Sequence, residues 1–280
     1  MATQTLRPAR PQLRRRSAAA DRATRSWPWR LAGYVLFVGA WVALSATVFQ
    51  PDSPDEATLL PSPLNVLQEM WTIFRAGDFW LNVFATLSHL AIGFVLAFAI
   101  GTAIGIAMGR SPYWDGFFRD YVMLTLTTPG LVFALICVMI FGLAGIGPIV
   151  AIVLTSFPHV TVNVEEGVRA IPRELVDMAR AYGVPRTTVI RNIVLPAVAP
   201  FLFTAVRYGF AIAWKITALT ELFGGADGVG IQIRVEFQFF DIGGVLAWAF
   251  FLVGFALFME RVVLMRLERR FFRWRPKAYG

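Results

Sequence analysis

The chain has 280 residues, 57% of them hydrophobic and 16% charged, with a mean hydropathy of +0.61. Soluble domains carry about 25% charged residues; here long apolar runs alternate with short polar segments, which excludes a single soluble globule and indicates a polytopic membrane protein. The net charge of +8 does not mark a nucleic-acid binder, because the arginines gather in tails and alternate loops, as membrane topology requires.

Residues 1–30 hold eight arginines and one acid, Asp21. Such a composition suits a targeting peptide or a disordered basic tail that fixes orientation. Pro8, Pro11 and Pro28 argue against a helix, and the first apolar run starts too far along for a cleaved signal peptide, so we read a disordered cytoplasmic tail. The first crossing is predicted at Leu31–Phe49. An acidic stretch follows, with Asp52, Asp55, Glu56, Glu69 and Asp78 against Arg75 alone, so that residues 31–82 hold one crossing and an external segment. Within it, PSPLNVLQEMWTIF reads as a short amphipathic helix with Pro63 near its start.

The main core is predicted over residues 83–264. Its first run, Val83–Met108, places Gly93, Ala97, Gly101, Gly105 and Gly109 at four-residue spacing. That small-residue ridge serves a moving or dimerising interface, or ordinary tight packing inside the bundle. Thr86 and His89 lie early in the run; a membrane histidine is a functional-site candidate, unless it is wetted at the interface. The next run, Phe118–Phe141, is expected to kink at Thr127-Thr128-Pro129-Gly130. Runs at Ile149–Val160, Ala197–Leu219 and Val245–Leu264 follow. Between the last two, glycines 224, 225, 228 and 230 predict a flexible loop, and Ile231–Phe240 an amphipathic stretch. A basic tail closes the chain at 265–280. All but four of the 26 Lys and Arg residues (Arg75, Arg207, Lys215 and Arg234) fall in residues 1–30 and 261–280 and in loops 109–119 and 161–196. Six crossings with both termini cytoplasmic follow.

Catalytic motifs are missing from the sequence. Lys215 and Lys277 follow Trp214 and Pro276, so neither completes G-x-x-x-x-G-K-[ST], and no ATPase site of that kind is expected. There is no H-E-x-x-H, C-x-x-C or G-x-S-x-G. His89 and His159 sit on different segments, and Cys137 is the only cysteine, so no metal site is expected.

The polar loop is the informative stretch. After Pro172, Leu175, Met178, Ala179 and Tyr182 repeat at helical spacing, with Arg173, Glu174, Asp177 and Arg180 on the other side. Gly183 stands where a left-handed residue ends a helix. Pro185 then opens a second short helix, in which Val189, Ile190 and Ile193 lead to Leu195-Pro196. The first helix is too short and too charged to span. It is expected to lie with its apolar face on the bundle and its charged face outward, toward a protein partner or lipid headgroups.

The pattern Asp177-x-Ala179-x3-Gly183-x9-Ile193-x-Leu195-Pro196 resembles the EAA loop, Glu-Ala-Ala-x3-Gly-x9-Ile-x-Leu-Pro, of inner-membrane permeases of binding-protein-dependent ABC importers. Asp177 replaces the Glu and Met178 the first Ala, and Tyr182 is larger than the usual aliphatic. Leu60-Pro61-Ser62-Pro63, Phe157-Pro158, Asn163, Gly167-Val168, Ala213-Trp214 with Glu221, and Gly228-Val229-Gly230 look like the nitrate/sulfonate/taurine branch. The resemblance covers residues 60–275. It implies an all-α, six-helix MetI-like permease fold in a bacterial inner membrane, with the coupling loop at 165–196. In it, Asp177, Met178, Ala179, Arg180, Tyr182, Gly183, Ile193, Leu195 and Pro196 would meet an ABC ATPase. It further implies two permease copies, or one with a paralogue, on two ATPase subunits that carry ATP and Mg, while this chain binds no cofactor. A periplasmic or lipid-anchored binding protein would dock against 50–82 and 220–244. Thr128, Pro129, Lys215 and Glu221 are candidates for the translocation path, and a cationic Lys215 would suit a small anionic solute. A stand-alone secondary transporter or channel is the alternative; no inverted repeat supports it. A membrane-embedded enzyme would need polar residues converging at one depth.

Overall fold

The computed structural model describes residues 13–47, 60–142 and 145–271, and every regular element among them is helical. The chain divides into two compact units, residues 1–67 and 68–280.

In the first unit, α1 (Leu13–Thr47) runs unbroken through Pro28. Residues 13–30 are therefore helical, contrary to the disordered tail expected there, and residues 1–12 lie outside the described residues. The physical reason is composition: Arg and Ala, strong helix formers, fill Leu13–Ala23. Only Leu31–Thr47 of α1 is apolar. At 1.5 Å per residue it spans roughly 25 Å, short of a hydrocarbon core of about 30 Å. The Trp41 indole N–H donates to the Pro61 carbonyl at 3.1 Å. The unit boundary falls inside α2 (Pro63–Arg75), the amphipathic helix expected from the sequence.

The second unit contains the long helices. Four stretches are long and apolar enough to cross a membrane: α3 (Phe79–Arg110), α6 (Ile146–Arg169), Arg186–Gly224 and Ile242–Arg270. A fifth is broken. α4 (Pro112–Thr127) and α5 (Gly130–Phe141) meet at 95°, where a kinked single helix was expected. Pro129 has no N–H and forces the residue before it out of the helical region; Thr128 accordingly sits at φ −73°, ψ 126°. Among the described residues this gives four or five spans, not six.

The ridge on α3 is occupied inside the bundle. A Cβ on Gly101 would lie 2.6 Å from the Phe157 carbonyl oxygen, and one on Gly105 2.6 Å from that of Thr161. On Gly93 and Gly109 it would meet the Ile152 and Val168 side chains at 2.8 and 2.6 Å. With Ala97 fully buried, the row lets α3 and α6 approach backbone to backbone. A core of Leu90, Cys137, Ala151, Ile152, Ala213 and Ile216 then joins α3, α5, α6 and α9 (Leu195–Gly224). Phe79 stacks on Trp248 at 5.7 Å, fastening α3 to α11 (Ile242–Phe258).

Several boundaries move. α6 runs on to Arg169, nine residues past the predicted end at Val160, because Thr161 and Val164 pack against α3 and are fully buried. α9 extends to Gly224, so the predicted flexible loop shrinks to the turn before α10 (Val229–Gln238).

Candidate functional site

Between α6 and α9 the chain forms a compact, exposed structure. α7 (Arg173–Ala181) begins after Pro172, which stands just ahead of its first turn. Its end is closed by two hydrogen bonds, Gly183 N–H to Arg180 C=O at 3.0 Å and Val184 N–H to Ala179 C=O at 2.9 Å. These are the paired bonds of a Schellman ending, and Gly183 takes the required left-handed φ of +67°. Pro185 follows and prevents the helix from continuing. The sequence reading of this stop is the one the structure shows.

The exposure of α7 differs from expectation. Of the apolar residues expected to face the bundle, only Ala179 is buried, at 6%. Leu175, Met178 and Tyr182 are exposed by 44, 53 and 82%. Ala179 is small and sits at the contact, so α7 rests on its narrow side and leaves the three larger side chains uncovered. Asp177 and Arg180 are also exposed and approach to 3.6 Å, a weak surface pair. The helix thus leaves both apolar side chains, Leu175 and Met178, and a charged pair uncovered.

The second predicted helix is not separate. α8 (Arg186–Val189) passes through a π turn at Ile190–Val194 straight into α9. Pro196 explains the widening. It cannot donate to the Asn192 carbonyl and its ring would collide with it, so the preceding turn opens and the Leu195 N–H reaches back to Ile190. Ile193 and Pro196 are half-buried and Leu195 is 54% exposed.

Two polar constellations escaped the sequence reading. At the end of α6 nearest α7, Asp115 and Arg119 of α4 meet Glu165 and Arg169 of α6 in a closed ring. Arg119 pairs with Asp115 and, at 2.6 Å, with Glu165; Arg169 pairs with Asp115 at 2.9 Å and Glu165 at 2.8 Å. The Glu165 side chain is only 6% exposed. Opposite charges at i,i+4 on two neighbouring segments were the available signal. It was missed because the span containing Glu165 was ended too early.

The second constellation surrounds Glu221, which was expected on a translocation path. Instead it is enclosed, with no exposed area. Its carboxylate accepts from the Thr86 hydroxyl at 2.8 Å and the Gly230 N–H at 3.0 Å, and lies 3.1 Å from His89 Nδ1. Thr86 accepts from the Val229 N–H at 2.8 Å, and Asn82 from the Gly228 N–H at 3.2 Å. A Cβ on Gly228 would lie 2.5 Å from the Glu221 carboxyl carbon. Gly228-Val229-Gly230 is thus glycine-flanked because Glu221 lies beneath it, and the turn is pinned. His89 is a member of this network.

The other path candidates lie apart. Thr128 and Pro129 form the α4–α5 elbow, where the Thr128 hydroxyl donates to Leu124 C=O at 2.8 Å. Lys215 lines a groove of about 1060 Å³ beside α9, together with Tyr208, Trp214 and the ion pair of Arg207 with Glu260. Among the described residues no group of His, Cys, Asp and Glu side chains is arranged to hold a metal.

An all-helical bundle with several apolar spans and a short, exposed polar helix between two of them defines a polytopic membrane protein. Residues 97–273 match the family of binding-protein-dependent transport system inner membrane components. The chain belongs to that family, and is a permease subunit of an ABC importer. It is 27% identical to the taurine transport system permease protein of Escherichia coli (strain K12), over 89% of this chain and 93% of that one. It is 25% identical to a nitrate import permease protein of Synechocystis sp., over 69% and 73%. A bicarbonate transport system permease protein of Synechococcus elongatus shares 24% over 89% and 94%. In fold it resembles the inward-facing methionine ABC transporter MetNI, with a TM-score of 0.56 at 21% identity over 72% of this chain and 97% of that one. An amino acid ABC transporter gives 0.58 at 18% over 74% and 97%.

Proposed function

We propose that α7 is the coupling helix through which a separate ABC ATPase drives this permease, and that the solute is a small anion. The observation that carries the coupling reading is the stapled α7, with Leu175, Met178, Asp177, Arg180 and Tyr182 all exposed. A partner can bias the bundle only through contacts that differ between its states, and a rigid short helix transmits such a bias. Two copies of the chain would stand on two ATPase subunits that bind ATP and Mg. A binding protein would meet the opposite face, near residues 60–82 and 220–244; residues 50–59 of the expected docking segment lie outside the described residues. Both termini would lie on the ATPase side, in a bacterial inner membrane. For the solute, the support is that the relatives are named for taurine, nitrate and bicarbonate; Lys215 lines a groove whose other charges are Glu268 and Arg207 paired with Glu260.

The test is Asp177→Lys in the assembled complex. ATPase stimulation by the loaded binding protein is expected to vanish while the permease stays in the membrane. Undiminished stimulation would sink the coupling reading. A chain that transports alone and purifies without an ATPase would instead establish the stand-alone transporter.

A further inference from the structure

We propose that the ring of Asp115, Arg119, Glu165 and Arg169 is a positioning device that makes α4, and with it the α4–α5 elbow, follow α7. This rests on the reading of α7 as the coupling helix.

Three observations carry it. First, the ring stands at the root of α7. Arg169 is the last residue of α6, and three residues separate it from Arg173. The link keeps its hydrogen bonds to the end of α6, Ala170 N–H to Glu166 C=O at 2.9 Å and Ile171 N–H to Val168 C=O at 3.4 Å. A displacement of α7 therefore acts directly on the Glu165–Arg169 turn.

Second, the ring is the main polar tie between α4 and α6, because α4 packs chiefly on α3, from which Ser111 alone separates it, and only thinly on α6. Val122 is its one buried residue, and Tyr113, Trp114, Phe117, Tyr121, Met123 and Leu124 are exposed. α3, by contrast, is locked to α6 along the whole glycine ridge. The second helix needs a fixed tie that the first obtains from packing.

Third, the ring has the form of such a tie. Each helix supplies one acid and one arginine at i,i+4. Two pairs run within the helices, and two, Arg119–Glu165 and Asp115–Arg169, run between them. A single half-exposed pair constrains little, but a closed network sharing a buried carboxylate fixes register and direction. The load passes from α7 to Arg169, across the ring to α4, and along α4 to Thr128 and Pro129.

The experiment measures α4–α6 separation in the complex of this chain with its co-expressed ATPase. Spin labels go on Tyr113→Cys of α4 and Glu166→Cys of α6, both exposed; the native Cys137 is buried. With the ring intact, the distance should be the same without nucleotide and after trapping with ATP and vanadate. In Asp115→Asn/Arg119→Gln it should shift on trapping by on the order of 2 Å, the size of helix movements in such transitions. Arg119→Lys, and the fully inverted ring Asp115→Arg/Arg119→Asp/Glu165→Arg/Arg169→Glu, which keeps all four attractions, should return it to the native behaviour. A nucleotide-dependent shift with the ring intact overturns the proposal. So does a neutral variant that assembles and shows none. If the neutral variant does not assemble, the inverted ring decides: a shift there overturns the proposal, and its absence supports it. A chain that purifies with no ATPase overturns the reading of α7 and the ring's role with it, whereas an ATPase-bound complex that fails only the distance test overturns the ring alone.

Discussion

Gly183 isolates one physical cause. A Cβ built there meets nothing within 4 Å, yet the residue sits at φ +67°. Any loss on substitution is therefore backbone strain, not crowding. An ordinary L-residue in the left-handed region costs about 1–2 kcal/mol, Asn less, and a β-branched residue most. About 1.4 kcal/mol is a tenfold change in an equilibrium. Gly183→Ala should thus lower the stapled population of α7 by roughly five- to thirtyfold relative to opened forms. Gly183→Asn should lower it less, and Gly183→Val more. The bonds at stake are Gly183 to Arg180 and Val184 to Ala179, so the damage is local. Thermal unfolding of the purified permease should move by less than about 2 °C, since an exposed loop end contributes little to the global transition. Solute-stimulated ATPase of the assembled complex should fall in the order Gly, Asn, Ala, Val. Equal activity in the Asn and Val variants would refute the argument, because the two differ mainly in tolerance of positive φ.

Two further predictions concern the outer part of the bundle. Glu221→Ala leaves the Thr86 hydroxyl, the Gly230 N–H and His89 without their shared acceptor. At about 1–3 kcal/mol for each buried group left unpaired, the variant should melt well below the native chain in detergent, and Glu221→Gln, which keeps an acceptor, should lose less. Equal melting of the two would dismiss the network. Glu236, on α10, has its carboxyl raised above the ordinary 4.5 by burial, then by the nearby charges of Asp241 and Glu69, with a Trp248 hydrogen bond opposing. A raised acid binds its proton more tightly when folded. Its favourable contribution is therefore full below pH 4.5 and disappears as pH rises through the folded value. Glu236→Gln should raise the melting temperature at pH 7, and that gain should shrink as the pH is lowered through the folded value toward 4.5. A gain constant across that range would show that ionisation is not the cause.

The sequence made the fold and the short helix α7 legible because both rest on local rules. Hydropathy marks spans, proline at Pro129 and Pro185 marks breaks, and a glycine at helical spacing from an apolar face marks a stop. α7 and its left-handed Gly183 were readable for that reason. What escaped depends on which face meets which. The Leu175–Met178–Tyr182 side of α7 looked like a core face, since periodicity reports that a stripe exists and not what covers it. Glu221 looked like a path residue because an acid near the end of a membrane run is rare. Only the positions of Thr86 and Gly230, 135 and 9 residues away, reveal that its partners are already supplied. The π turn before Pro196 was likewise invisible, as it answers a missing hydrogen bond with a change of pitch rather than a break.

That change of pitch bears on how α7 can work. On one side α7 is joined to α6 through three residues, of which Ala170 and Ile171 stay hydrogen-bonded to the helix end, and α6 is locked to α3 by the glycine ridge. On the other side it leads through Pro185 and α8 into a π turn, whose looser hydrogen bonding is the weakest part of the Arg186–Gly224 helix. A force applied to α7 meets a stiff root and a compliant one. The stiff root moves with it as a body; the compliant root absorbs the difference in direction. Because α6 is also packed on α9, with Gly167 against Phe201 and Gly209 against Val160, the difference in direction is taken up in the π turn rather than between α6 and α9. The one-sided stiffness follows from Gly101, Gly105 and Gly109 on one flank and Pro196 on the other.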